Sequence, residues 1–254
     1  MKFDFPDDVK WLDHRTILLA VTGSTAYGTN TPTSDKDYKG VCIPPEDYYY
    51  GLHTFNDYNT TGSKNWKNTK DDVDVSIMHV NKFVMDCMAG VPNNIEILFT
   101  NPEHILKCNY FGKILIKNRR DFLSKALKKK FGGYANGQVA LLKTKKSNGT
   151  GRVDLIEKYG YDTKFGSHAV RLLTSAIDIL ETGNFTTYRP NRQELLNIRN
   201  GKFTLDELLL YIEKLDREMQ EACEKCKVLP ELPDYDKINK WLIELNKEAM
   251  EKMW

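Results

Sequence analysis

The stretch Val21-Thr22-Gly23-Ser24-Thr25-Ala26-Tyr27-Gly28-Thr29, with Ser34-Asp35-Lys36-Asp37 close behind it, decides how this 254-residue chain is read. It closes an apolar run, Thr16 to Thr22, that predicts a buried strand. The strand ends in Gly23-Ser24. A glycine lets backbone N–H groups approach an anion closely, and the serine adds a hydroxyl donor. A strand, then Gly-Ser, then a turn or helix start forms a natural phosphate cradle. Gly-Ser alone is common loop punctuation, so the weight falls on the acidic residues downstream of it.

Ten residues separate Ser24 from Asp35. Asp35 and Asp37 are two apart at the start of a second strand, predicted to run to Ile43, so their carboxylates share a face. Carboxylates side by side repel, and a bound divalent cation removes that cost. A third carboxylate is expected from a neighbouring strand. Val73-Asp74-Val75-Ser76-Ile77-Met78 supplies it: alternation puts Asp72, Asp74 and Ser76 on one face and Val73, Val75 and Ile77 on the other. Such a set suits Mg2+ or Mn2+ with a nucleoside triphosphate (NTP) as substrate. Two metal ions about 3.5–4 Å apart would clamp an in-line attack on the α-phosphate. Asp35 and Asp37 are expected to bridge the ions, with Asp74 beside the nucleophile as a candidate base.

Gly23-Ser24, Asp35-x-Asp37 and Asp74 together resemble the signature of the DNA polymerase β nucleotidyltransferase superfamily. The longer run from Gly23 to Gly40 is similar to a narrower group, the nucleotidyltransferases associated with RNA ligases (the RlaP group) of bacteria and their phages. Lys82-Phe83, Pro92-Asn93-Asn94-Ile95-Glu96-Ile97-Leu98, Tyr159-Gly160-Tyr161-Asp162-Thr163-Lys164 and His168-x-x-Arg171-Leu172-Leu173 resemble it too. The resemblance runs from about residue 16 to 183. One departure is Lys36, where the superfamily usually carries an apolar residue. At that strand position it faces away from the metals and is expected nearer a surface.

The resemblance implies an α/β (α+β) nucleotidyltransferase fold. A catalytic domain over residues 1–108, built on a small mixed β-sheet, is followed by a helical domain over 109–254 that closes the active-site cleft. It also implies transfer of a nucleoside monophosphate from an NTP to a hydroxyl, with release of pyrophosphate. The expected acceptor is an RNA or tRNA 3′ end, in RNA repair alongside an RNA ligase pathway. Two other readings remain open: nucleotidylation of a protein or small molecule, and a catalytically silent RNA-binding module. Loss of a carboxylate would mark the silent module, and all three acids are present.

Further along, Phe165, Ala169, Leu172, Leu173, Ala176 and Leu180 form an apolar helical stripe stopped by Gly183. Beside it Lys164, His168, Arg171 and Ser175 fall at i, i+4, i+7 and i+11, a polar stripe on the same helix. Lys164 and Arg171 are candidates to neutralise nucleotide phosphate charge, and His168 to donate to phosphate or acceptor. The alternative is a solvated helix face. Thr204 with Glu207 makes a capping-box pattern ahead of a stripe from Leu205 to Met219. Asn81 to Ala89 reads as a short helix closed by Gly90 and Pro92. The polar stretch His53 to Asp71 reads as a mobile insertion. The roles of Glu96 and Gln138 stay open.

Composition bounds the rest. Hydrophobic residues make up 41% and charged residues 28%, an ordinary globular balance. No stretch of 18 apolar residues and no signal-peptide pattern occurs, which points to a cytoplasmic protein without a membrane partner. Five scattered cysteines do not form a disulfide framework, and Cys223-x-x-Cys226 stands alone without a second pair. The net charge is only +2, yet Lys113 to Arg152 holds twelve Lys/Arg against the single acid Asp121. A basic block of this kind attracts phosphates or nucleic acid.

Overall fold

The computed structural model describes residues 3–32, 34–60, 73–143 and 153–252. The chain forms two compact units: residues up to Met88, Asn93–Phe122 and Pro233 onward make the first, and Ala89–Pro92 with Leu123–Leu232 the second.

In the first unit a short helix α1 (Leu12–Arg15) leads into β1 (Thr16–Val21), then α2 (Gly23–Tyr27), β2 (Lys36–Cys42), α3 (Asp47–Tyr50), β3 (Asp57–Asn59) and β4 (Val73–His79). Helices α4 (Val80–Met88) and α5 (Pro92–Leu98), strand β5 (Ile105–Cys108) and α6 (Tyr110–Lys117) follow. The five strands form one mixed sheet in the order β3-β4-β2-β1-β5. β2 and β4 run parallel; the other pairs are antiparallel. One face buries Phe5, Leu12, Leu19, Tyr38, Val75 and Ile77, with Trp11, Phe55 and Tyr58 packed over them. Side-chain alternation then sends Asp37, Lys39, Asp74 and Ser76 to the opposite face, against which α4 lies.

The stretch His53 to Asp71, expected to be a mobile insertion, is partly sheet. β3 pairs antiparallel with β4, and His53 Nδ1 lies 2.8 Å from Asp47 Oδ2. A three-residue edge strand of Asp, Tyr and Asn carries little strand signal of its own, and β4 provides the template. The rest of that stretch, and Asp72, lie outside the described residues.

The second unit is helical: α7 (Leu127–Lys143), α8 (Val153–Tyr159), α9 (Thr163–Thr182), α10 (Arg192–Arg199) and α11 (Leu205–Lys225). α9 is the hub, packed by α7, α8, α10 and α11. The Asp162 side chain caps its start by accepting from Lys164 N, and Gly183, at φ 65°, ends it. The capping box at α11 forms as the sequence predicts, with Thr204 and Glu207 exchanging bonds of 2.8–3.2 Å. An ion pair at 2.6 Å between buried Arg189 and half-exposed Asp178 ties the segment after α9 back to it.

The last helix, α12 (Tyr235–Lys252), falls in the first unit rather than with the helical region that precedes it in sequence. Its ties are to early residues: Tyr49 Oη donates to Asn246 Oδ1 at 3.1 Å, Asn246 Nδ2 donates to Asn81 Oδ1 at 2.8 Å, and Trp241 sits edge-on to Phe122. No helix among the described residues is long and apolar enough to cross a membrane.

Candidate active site

β1 delivers Gly23 and Ser24 to the top of the sheet. Thr22 N donates to Asp37 O at 2.8 Å, which extends the β1–β2 pairing to the point where the Gly-Ser turn begins. Gly23 takes φ +63°, and a Cβ there would lie 2.0 Å from Asp37 Oδ2. Glycine is therefore required twice over, for its backbone angle and for the carboxylate pressed against it. Ser24 Oγ is buried, with no hydrogen-bond partner among the described residues. α2 ends at Gly28, φ 70°, and Thr29 N donates to Ser24 O at 2.9 Å.

The parallel register sets Asp37 directly beside Asp74, and Asp35 immediately precedes β2. Each of the three carboxylates offers an oxygen within 4.8 Å of the others, all half-buried. Among the described residues no other group of three His, Cys, Asp or Glu side chains converges in this way. Three oxygen donors on half-buried side chains could hold a hard divalent cation. Lys36 between them is exposed, as its strand position predicts.

Behind the acids lies a polar network that the sequence alone does not reveal. Lys39, on the face of β2 that carries Asp37, donates to Asn94 Oδ1, and burial lowers its ammonium pKa. Asn94 Nδ2 donates to Asp86 Oδ2 at 3.0 Å, and Lys82 pairs with the same oxygen at 3.2 Å. Glu96, in the apolar run of α5, accepts from Tyr27 Oη at 2.7 Å. The local hint is an acid and an amide placed among Ile and Leu. Their partners lie 69 and 55 positions away in the chain.

Lys164, His168 and Arg171 belong to α9 in the second unit, whereas the acid triad belongs to the first. Their stripe is not a solvated face. Lys164 and His168 are half-buried, Arg171 is 3% exposed and Ser175 fully buried. Gln138 is half-buried on α7. Cys223 lies within α11 and Cys226 caps its end.

Residues 7–244 match the RNA repair pathway DNA polymerase beta family (RlaP). An uncharacterized 38.9 kDa protein of the nrdC–mobD intergenic region of Enterobacteria phage T4 is 32% identical over 132 residues. That segment is 50% of this chain and 38% of the phage protein, so well over half of the relative lies beyond the comparison. A solved nucleotidyltransferase-like protein from Exiguobacterium sibiricum 255-15 aligns with 84% of this chain and 73% of its own, at 12% identity and a TM-score of 0.31. That likeness is too distant to argue from.

Proposed function

Because the chain belongs to the RNA repair pathway DNA polymerase beta family, we propose that it transfers a nucleoside monophosphate from an NTP to the 3′ hydroxyl of an RNA such as tRNA, releasing pyrophosphate. The observation that carries this reading is the convergence of Asp35, Asp37 and Asp74 within 4.8 Å, with Gly23 pressed against Asp37.

Asp35 and Asp37 are the residues that would hold Mg2+ or Mn2+, with Asp74 completing the set. The ion, when bound, supplies neutralisation of phosphate charge and acidifies the acceptor hydroxyl. The remaining work belongs to the chain. Gly23 and Ser24 offer a backbone N–H and a hydroxyl to the triphosphate. Asp74 accepts the proton as the acceptor oxygen bonds to the α-phosphorus and the bond to the β-phosphate oxygen breaks. Lys164, Arg171 and His168, a cationic stripe on one helix of the second unit, are proposed to bind phosphate. The exposed lysines of α7, Lys129 and Lys130, face solvent on a helix whose first turn lacks acids, which suits RNA phosphates.

The test is incorporation of α-labelled NTPs with Mg2+ or Mn2+, offering tRNA, short single-stranded RNA and bulk protein, beside an Asp35→Ala/Asp37→Ala variant. Label on RNA that disappears in the variant is the expected result. Label on protein would replace the acceptor. RNA bound equally by both proteins, with no transfer under any condition, would sink the catalytic reading in favour of a binding module.

A further inference from the structure

α5 reaches both halves of the candidate site through two buried polar side chains. Asn94, 1% exposed, accepts from Lys39, two residues beyond Asp37 on β2. Glu96, 5% exposed, accepts from Tyr27 Oη, and Tyr27 is the last residue of the helix that begins with Gly23 and Ser24. Neither bond is needed to make a helix, since the backbone bonds of α2 and α5 are internal to each. What the two bonds specify is where α2 and β2 stand relative to α5.

α2 needs such a specification. It has five residues, far below the length at which a helix holds itself together in water. Glycines at positive φ, Gly23 at 63° and Gly28 at 70°, stand at its two ends. A short element between two permissive joints takes its position from tertiary ties. The bond from Tyr27 to Glu96, 2.7 Å long and between residues 69 apart in the chain, is such a tie. A carboxylate is also costly to bury without such partners, so its presence in an apolar run calls for a reason.

We propose that Glu96 is a positioning residue for nucleotide binding. Through Tyr27 it fixes the place of Gly23 and Ser24. Through Asn94 and Lys39 the same helix steadies the strand that carries Asp37. α5 thereby sets the spacing between the phosphate-binding turn and the acids, and the ligand that reads this spacing is the triphosphate of the NTP. The inference rests on the nucleotidyl-transfer reading of the site.

The full chain is compared with Tyr27→Phe, Glu96→Leu, Glu96→Gln and the Tyr27→Phe/Glu96→Leu double variant. KM and kcat for the NTP are measured, together with Mn2+ affinity in the absence of nucleotide. Tyr27→Phe and Glu96→Leu are expected to raise KM on the order of tenfold, with a smaller change in kcat. Glu96→Gln keeps an acceptor oxygen and should stay within about twofold. The double variant should cost less than the sum of the two single changes, because both break the Tyr27–Glu96 bond. Mn2+ affinity should not move, since the acids sit on and beside β2 and β4. Unchanged KM in the variants, or parallel loss of Mn2+ and nucleotide binding as in general loosening, would overturn the positioning role while leaving the reaction standing. A wild-type chain that neither binds nor transfers nucleotide would overturn the reading of the site, and this inference with it.

Discussion

Gly23 and Asp37 are packed so closely that a Cβ on residue 23 would stand 2.0 Å from Asp37 Oδ2. The residue that would cradle phosphate and the residue that would hold metal are one contact. Gly23→Ala is therefore expected to act on both. The methyl group displaces the carboxylate, and φ +63° strains any L side chain. Nucleotidyl transfer should fall by about a hundredfold or more, as for a misplaced reacting group, with a stability loss of about 1–2 kcal/mol. Steady-state transfer and denaturant unfolding measure the two effects, and wild-type activity in this variant would refute the close contact.

Three carboxylate oxygens within 4.8 Å should make the protein's stability depend on a divalent cation. An ion that binds only the folded chain adds about 2.7 kcal/mol at a hundredfold excess over its Kd. Thermal unfolding of the wild type should therefore shift upward from EDTA to Mg2+ or Mn2+. Asp37→Asn should lose that shift, and equal shifts in both proteins would argue against the triad as the binding site.

His79, at the end of β4, is buried, and its Nδ1 accepts from Asn81 N at 3.0 Å. Burial drives its pKa down from 6.5 to about 4. Well above pH 6.5 the ring is neutral folded and unfolded alike, so it adds no pH dependence. Between pH 6.5 and about 4 the unfolded chain takes up a proton that the folded chain refuses, and stability falls. Below that window both states are protonated and this loss stops growing. His79→Gln should flatten the stability profile there, by less than the slope of a whole proton, about 1.4 kcal/mol per pH unit. Parallel wild-type and variant profiles would exclude His79 as the source.

Gly133 and Gly137 lie on the exposed face of α7, and a Cβ at either would meet nothing within 4 Å. Glycine in a helix interior costs about 1 kcal/mol relative to alanine. Gly133→Ala and Gly137→Ala should each stabilise the chain by roughly that amount in urea unfolding. Salt-dependent RNA binding by the same variants would show whether the bare face is kept for the acceptor rather than for the fold.

The elements whose signal is local are legible in the sequence. The apolar run predicts β1 from Thr16 to Thr22, and the strand runs Thr16–Val21; alternation predicts β4 from Val73, where it starts. The Thr204–Glu207 cap is equally plain because its two partners are three residues apart. Asp37 and Asp74 can be nominated from alternation alone, but their adjacency is a matter of strand pairing, which no single strand encodes. The links from Glu96 to Tyr27 and from Asn94 to Lys39 are out of reach for the same reason. So is the return of α12 to the first unit, which depends on Asn246 finding Tyr49 and Asn81 far back in the chain. β3 is hidden by its polar composition.

The strand order β3-β4-β2-β1-β5 puts β4 and β2 inside the sheet and leaves β3 and β5 at its margins. Marginal strands open by fraying; interior ones exchange their amide protons mainly when the whole cooperative unit opens. The amides in the middle of β2 and β4, just beyond Asp37 and Asp74, should therefore be among the slowest in the chain to take up deuterium, with or without metal. The two carboxylates that sit within these strands, Asp37 and Asp74, stay side by side through ordinary breathing motions. A cation arriving from solvent would meet a receptor whose framework is already in place, with little ordering entropy left to lose.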